Sequence, residues 1–125
     1  MLGDNDAATM IAVKDLERAK RFYEDKLGLR RVGAVDGEVL VYASGSSKIN
    51  VYRSEFAGTN RATAMVWTVG DALDGLVREL DGKGVAFEHY DMPGMTVEGH
   101  VHVAGGLRVA WFKDPDGNIL SVQND

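Results

Sequence analysis

The chain has 125 residues, of which 45% are hydrophobic, and its formal net charge is −5 at pH 7. This length suits one compact domain with a real hydrophobic core. The absence of cysteine excludes disulfides, thiolate catalysis and Cys-ligated metals. The acidic balance and the lack of a basic run argue against a nucleic-acid partner. No stretch reads as a membrane span or a signal peptide, so we expect a cytoplasmic protein without a membrane partner.

The first half of the chain predicts a strand, a helix and three further strands. The side chains of residues 8–13 are expected to alternate between the two faces of a strand, and Asp15 is placed to cap the helix that follows. That helix carries apolar residues at helical spacing and is expected to end at Gly28. Turn sequences separate the next strands, for which we predict residues 29–34, 38–42 and 48–53.

The second half restarts the same order. Residues 64–69 predict a strand, Asp71 a helix cap and Gly84 the end of the helix. A shift of 56 residues places Ala8 on Ala64, Asp15 on Asp71 and Gly28 on Gly84 without a gap. This preserved spacing predicts two modules, with bounds of about 7–53 and 62–124 and a connector at 54–61.

The chain closes on a predicted hairpin. Residues 109–112 and 119–122 suit a half-buried sheet, and residues 114–118, Asp-Pro-Asp-Gly-Asn, have the composition of a tight turn. Upstream, residues 85–90 predict another strand. Residues 92–106 are glycine-rich and irregular, with a short strand at 101–103.

Two motifs resemble those of the vicinal oxygen chelate superfamily, which includes glyoxalase I, extradiol dioxygenases and bleomycin-resistance proteins. They are the Phe-Lys-Asp-Pro-Asp-Gly-Asn run at residues 112–118 and the first-helix run at residues 15–29. The resemblance covers residues 8–123. It implies an α+β fold in which two βαβββ modules form a curled mixed sheet, a half-barrel, with helices on the convex face and the ligand on the concave face. It also implies a homodimer.

The resemblance further implies where a metal would lie. Metal-dependent members hold a divalent ion with His, Glu or Gln side chains from the first and last strands of each module. The matching positions in this sequence are Ala8, Asn50, Ala64 and Ser121. Alanine cannot ligate a metal, and asparagine and serine are weak neutral ligands. A register error of one residue brings in no better ligand, since it reaches Thr9, Val51, Met65 and Val122. We therefore expect neither a metal nor a cofactor.

Residues near these positions are candidates for contact with a ligand. Tyr52 shares a strand face with Asn50, and Gln123 shares one with Ser121. Aromatic residues supply stacking surface, although core packing is an equally good interpretation of Trp111. The candidate ligand-binding residues are Asn50, Tyr52, Phe56, Tyr90, His102, Trp111, Ser121 and Gln123.

The three histidines admit two interpretations. His100 and His102 are two residues apart, so in an extended segment they point the same way, and His89 lies near the end of the preceding strand. They are either polar residues of a solvated loop, which we favour, or ligands of a displaced metal.

Three hypotheses about function follow. The first is a protein that binds a small organic molecule in a cleft without a metal, in the manner of the bleomycin-resistance branch. The alternative is a lyase, isomerase or dioxygenase, metal-dependent or metal-free, with Tyr52, Tyr90 and His102 as acid–base candidates. A structural or regulatory domain with a vestigial cleft is the third. The sequence assigns no catalytic residue.

Overall fold

Each half of the chain builds one mixed β-sheet with one α-helix beside it. The structure is a computed structural model and describes residues 1–125. It divides into two compact units, Met1–Gly58 and Thr59–Asp125, called unit 1 and unit 2 below. The α+β class expected from the sequence is confirmed, with ten strands in two sheets that do not close.

Unit 1 follows the order β1-α1-β2-β3-β4 along the chain. Its strands pair in the spatial order β1-β4-β3-β2, with β1 parallel to β4 and the other pairs antiparallel. The α-helix continues into a π-helical segment at Arg21–Lys26. The bounds are β1 Thr9–Val13, α1 Leu16–Lys20, β2 Arg30–Val35, β3 Val39–Ser44 and β4 Ser47–Arg53.

Local sequence explains where these elements begin and end. The Asp15 carboxylate Oδ1 accepts hydrogen bonds from the amides of Glu17 at 2.9 Å and Arg18 at 3.2 Å, which confirms the predicted cap. Between β2 and β3, Asp36 and Gly37 have φ values of 48° and 67°. Two consecutive positive φ values are typical of the tight turns that join antiparallel strands.

One face of the unit 1 sheet packs against α1 and its π-helical continuation, and we call it the helix face. α1 packs against β4. Alternation along the strands places the buried residues of the sheet on this face, and they are Ile11, Val13, Leu40, Tyr42, Ile49 and Val51. The Tyr42 ring lies 6.2 Å from that of Tyr23, between centroids, and its hydroxyl donates to Glu24 Oε2 at 2.8 Å.

Unit 2 repeats this plan with two additional strands, six in place of four. The spatial order is β5-β10-β9-β8-β7, with β5 parallel to β10, and β6 and β8 each pair antiparallel with part of β9. A short 3-10 turn at Gly70–Ala72 precedes the helix. The bounds are β5 Thr63–Thr68, α2 Leu73–Gly82, β6 Ala86–Glu88, β7 Thr96–Glu98, β8 Val101–Ala104, β9 Leu107–Lys113 and β10 Ile119–Gln123.

The helix face of unit 2 carries Phe112 and Leu120, which are buried and paired across β9 and β10. Arg108 of β9 donates from Nη2 to Asp74 Oδ1 of α2 at 2.8 Å. Since Arg108 and Phe112 are four residues apart on one strand, they share a face, and α2 therefore lies over the face of Phe112.

The closing hairpin is confirmed. Asp114 is 5% exposed, and its Oδ1 accepts from the amides of Asp116 at 3.0 Å and Asn118 at 2.9 Å. These bonds fix the turn, and the turn fixes the register that places Trp111 opposite Ser121.

Two predictions about unit 2 are wrong. Asp71 does not cap the helix, because it lies inside the 3-10 turn and α2 begins at Leu73 with Ala72 as its N-cap. Residues 92–106 are more regular than expected, because β7 pairs with β8 and β8 pairs with β9. Neither α-helix is long and apolar enough to cross a bilayer.

Candidate functional site

The opposite face of the unit 1 sheet, turned away from α1, carries two of the predicted site residues. Asn50 and Tyr52 lie two residues apart on β4, and both are partly exposed. Asn50 pairs in register with Met10 of β1, and its Nδ2 lies 3.4 Å from the Met10 sulfur. Met10 is 54% exposed. This face therefore offers an amide beside a flexible thioether.

The position of Ala8 is beside a cavity of unit 1. Ala8 lies just before β1, and the cavity has a volume of about 470 Å³. Its lining residues are Asp6, Ala7, Ala8, Ser46, Ser47 and Lys48.

The opposite face of the unit 2 sheet brings four predicted residues together. Trp111 pairs with Ser121 across β9 and β10, and His102 of β8 pairs with Val109, two residues before Trp111. Cross-strand partners share a face, so His102, Trp111 and Ser121 lie on the same side of the sheet. Ser121 is 3% exposed.

Three rings on this face form what we call the aromatic cluster, which consists of Tyr90, His102 and Trp111. The ring centroids of His102 and Trp111 are 4.8 Å apart at an interplanar angle of 82°. Those of Tyr90 and Trp111 are 5.3 Å apart at 75°, and those of Tyr90 and His102 are 6.0 Å apart. Edge-to-face contacts of this kind are favourable for aromatic rings.

Trp111 is oriented by a hydrogen bond. Its indole Nε1 donates to Thr63 Oγ1 of β5 at 3.1 Å. Sequence reasoning missed Thr63, because nothing in the local pattern indicates that β5 and β9 approach each other beside β10. The indole plane is therefore held by a partner two strands away.

His102 is fully buried, with an exposed fraction of 0%. The expectation of a solvated loop histidine is wrong for this residue, because it lies within β8 under the other two rings. Its Nε2 accepts a hydrogen bond from the Tyr90 amide at 2.8 Å, whereas its Nδ1 has no hydrogen-bond partner. A buried polar group without a partner costs about 1–3 kcal/mol.

His100 does not share the environment of His102. It lies in the turn before β8, its ring stacks on Phe87 at 4.5 Å between centroids, and its Nε2 lies 3.0 Å from Asp81 Oδ1 of α2. His89 Nε2 lies 2.9 Å from His100 Nδ1. The condition under which His100 and His102 would point the same way, an extended segment through both, is not met, because the strand begins only at Val101.

The histidines are not arranged as a displaced metal site. Both ring nitrogens of His100 already have partners, in His89 and Asp81. No group of three or more His, Asp or Glu side chains in the chain is placed to hold a metal ion. The arrangement is a hydrogen-bonded chain instead.

A charged pair borders the aromatic cluster. Lys113 Nζ lies 2.9 Å from Glu88 Oε1, and this hydrogen bond raises the pKa of Lys113. Burial raises the pKa of Tyr90, and the negative charge of Glu88 raises that pKa further. The Tyr90 phenol is therefore neutral at physiological pH.

The remaining predicted residues are Asn50, Tyr52 and Phe56 of unit 1 and Gln123 of unit 2. Phe56 lies in the turn after β4 and is 76% exposed. Gln123 lies two residues beyond Ser121 on β10, and its side-chain amide donates to the carbonyl of Asp125 at 2.6 Å. Asn50 and Tyr52 stay together on unit 1.

The positions that match metal ligands do not fit a divalent ion in either unit. Ala64 of β5 has no paired residue on β10, because the register shifts there: Ile119 pairs with Thr63 and the next residue, Leu120, pairs with Met65. Ser121 pairs with Val66 on the same strand. On this face Ser121 lies opposite the indole of Trp111. The carboxylate of Glu88 also lies opposite Trp111, but it is already paired with Lys113 and is therefore not free to balance a dication.

The family model of the Glyoxalase/Bleomycin resistance protein/Dioxygenase superfamily matches residues 7–122. The fosfomycin resistance protein FosX from Mesorhizobium loti is similar in structure, with a TM-score of 0.71 at 16% identity over 98% of this chain and 92% of that chain. An integron cassette protein from the mobile metagenome of the Halifax Harbour sewage outfall has a TM-score of 0.68 at 18% identity, over 95% of this chain and 98% of that chain.

FosX from Listeria monocytogenes, complexed with Mn(II) and a sulfate ion, gives a TM-score of 0.69 at 13% identity, over 94% of this chain and 87% of that chain. At such identities these solved structures show the fold alone. No curated protein matches the chain.

Proposed function

The chain belongs to the glyoxalase/bleomycin resistance protein/dioxygenase superfamily, and from this premise we propose that it binds a small organic molecule without a metal ion. One observation carries the proposal. The positions that match the superfamily's metal ligands hold Ala8, Asn50, Ala64 and Ser121, while three rings cluster beside the last of them.

The chemistry of the donors argues against a metal. A divalent ion needs several charged or strongly basic ligands, and two of the four positions are methyl groups. The neutral amide of Asn50 and the hydroxyl of Ser121 are weak ligands by themselves. Both are suited to hydrogen bonding with an uncharged ligand.

The chemistry of the cluster favours an organic ligand. Trp111 and Tyr90 are half-buried and present ring surface for stacking, and Trp111 is held in place by Thr63. Binding sites for small molecules combine apolar and aromatic walls with a few placed polar groups. We propose His102 and Ser121 as the polar groups of unit 2, and Asn50 and Tyr52 as those of unit 1.

The assembly belongs to the proposal as well. Members of the superfamily are commonly dimers, and we propose that this chain is a homodimer. The expected partner is a small molecule.

A metal-dependent enzyme is the alternative, because the Listeria FosX structure contains Mn(II). In that case, binding or turnover of a substrate would require a divalent ion. The first proposal requires none, so a chelator separates the two.

The test is a thermal-shift screen of aromatic and heteroaromatic compounds in the presence of EDTA. Compounds that stabilise the protein are then titrated against Trp111→Phe and against the matched control Trp67→Phe, which removes the other indole. Trp67 stacks on Phe112 of the helix face, at 6.4 Å between ring centroids. We expect Trp111→Phe to weaken binding by about two- to tenfold, because the smaller ring stacks over less area and lacks the N–H that bonds with Thr63. We expect Trp67→Phe to leave the affinity unchanged. Stabilisation that depends on a divalent ion, or equal effects of the two variants, would contradict the proposal.

A further inference from the structure

We infer that His102 is held as the Nδ1–H tautomer and donates this proton to the bound molecule, so that the ligand is a flat, largely apolar compound carrying a hydrogen-bond acceptor such as a carbonyl oxygen. The ligand class rests on the proposed function. The tautomer does not, because it follows from contacts within unit 2.

The contact with the Tyr90 amide fixes the tautomer of His102. The Tyr90 amide can only donate, and it lies 2.8 Å from His102 Nε2. Nε2 must therefore carry a lone pair, and the proton of the neutral ring lies on Nδ1.

A chain of hydrogen bonds holds the Tyr90 amide in place. Tyr90 follows His89, whose Nε2 bonds with His100 Nδ1, and His100 Nε2 bonds with Asp81 of α2. When the His100 ring is neutral, the Asp81 carboxylate accepts the proton of Nε2, so His100 Nδ1 is an acceptor and His89 Nε2 donates. This chain of hydrogen bonds anchors the 89–90 segment, and with it the Tyr90 amide, to the helix.

The Nδ1–H group of His102 is a donor without a partner. Buried polar atoms in proteins nearly always have partners, so an exception calls for an explanation. His102 Nδ1 is buried and has none, and the neighbouring rings are those of Tyr90, Trp111 and, at 6.4 Å between centroids, His89. The Trp111 N–H is a donor itself and already bonds with Thr63. No atom of the protein accepts from Nδ1–H in the structure, and we assign the acceptor to the bound molecule.

The class of ligand follows from this donor. A ring or conjugated plane matches the stacking surface of Tyr90 and Trp111, and an acceptor atom at its edge matches Nδ1–H. A molecule that offers only donors, or a cation, would meet Nδ1–H with the wrong polarity. Since Tyr90 covers His102, its side chain must move aside when the ligand enters.

The tautomer is tested first, on the ligand-free protein. Long-range 1H–15N correlation of the 15N-labelled chain reports which ring nitrogen carries the proton, and comparison with His102→Gln assigns the His102 signals. We expect a protonated Nδ1 and an unprotonated Nε2. A protonated Nε2, or an imidazolium at neutral pH, would overturn the inference whatever the protein binds.

The ligand class is tested with two probes that differ in one atom group. Acetophenone has a carbonyl oxygen where α-methylstyrene has a CH₂, and both are flat. We expect acetophenone to bind the wild-type protein about tenfold more tightly, the ratio expected for one neutral hydrogen bond. Binding is followed by the indole N–H signal of Trp111 and the ring signals of His102.

Two variants of His102 complete the design. His102→Gln keeps an acceptor for the Tyr90 amide and loses the donor at Nδ1, so the ratio of the affinities for acetophenone and α-methylstyrene should fall close to one. His102→Asn keeps a donor near the Nδ1 position and should retain part of the ratio. Thermal unfolding and the Trp111 indole signal establish that each variant is folded.

The outcomes separate this inference from the proposed function. Equal affinities for the two probes, or an unchanged ratio in His102→Gln, would overturn the inference while compounds that bind through Trp111 still support the proposed function. If neither probe binds at millimolar concentration, the ligand class is wrong, and the compound screen alone decides the proposed function.

Discussion

Tyr42 shows how one buried side chain couples the fold to pH. It is fully buried, and its hydroxyl donates to Glu24 Oε2 at 2.8 Å. Burial raises the pKa of Tyr42, and the hydrogen bond and negative charge of Glu24 raise it further. The unfolded chain has the ordinary tyrosine value of about 10. The stability from this group is therefore complete below about pH 10 and is lost as the pH rises above it, where only the unfolded state ionises.

Replacing Tyr42 by phenylalanine tests this coupling. We expect Tyr42→Phe to lower the free energy of unfolding near neutral pH by about 0.5–1.5 kcal/mol, through loss of the hydrogen bond. Above pH 10 the variant should lose less stability with rising pH than the wild type. Urea unfolding between pH 8 and 11 measures both effects, and Tyr52→Phe on the opposite face is the control. Parallel declines of Tyr42→Phe and wild type would contradict the assignment.

At the same scale, the sequence predicts part of the site and misses part. Side chains alternate between the two faces of a strand, so the sequence predicts correctly that Asn50 shares a face with Tyr52, and Ser121 with Gln123. The burial of His102 depends on pairing between β8 and β9 and on the Tyr90 amide, which is a contact with no local signal. For this reason the sequence suggested a solvated histidine.

The two helix starts show how far local rules reach at the scale of an element. Asp15 and Asp71 are matched by the repeat, and both are exposed. Only Asp15 accepts from helix amides. Gly70, at a φ of 58°, lets the chain form a 3-10 turn, so α2 begins at Leu73 and Asp71 lies before it. A residue pattern indicates that a cap is available, but it does not indicate whether an extra turn intervenes.

This difference makes Asp15 and Asp71 a matched pair for mutation. We expect Asp15→Ala to lower the free energy of unfolding by about 1 kcal/mol, the usual value for a lost N-cap. We expect Asp71→Ala to change it by less than about 0.5 kcal/mol, as for an ordinary surface position. Chemical denaturation of both variants under identical conditions gives the comparison. Equal losses would show that the two helices begin in the same way.

The strand β7 was missed for a different reason. Thr96–Glu98 is three residues long and exposed, and it pairs only with β8. Its neighbours are rich in glycine, which locally favours turns. The strand exists because β8 offers a free edge, and an edge becomes visible only when the sheet has formed.

At the scale of the whole molecule, the repeat in the sequence is a repeat in the fold. In each unit the first strand lies parallel to the last, and the last lies antiparallel to the one before it. This order could be predicted because strand, helix and glycine signals recur at constant spacing. In both units, the positions that the sequence analysis matched to metal ligands hold no charged side chain, since they are Ala8, Asn50, Ala64 and Ser121.

The central claim is that this member of the superfamily works without a metal ion. Electron paramagnetic resonance of free Mn(II), titrated with the chelator-treated protein, tests it most directly, because bound Mn(II) loses the sharp signal of the free ion. We predict that the signal falls no more in the presence of the protein than by dilution. A stoichiometric loss of signal, abolished by Asn50→Ala or Ser121→Ala, would contradict the account.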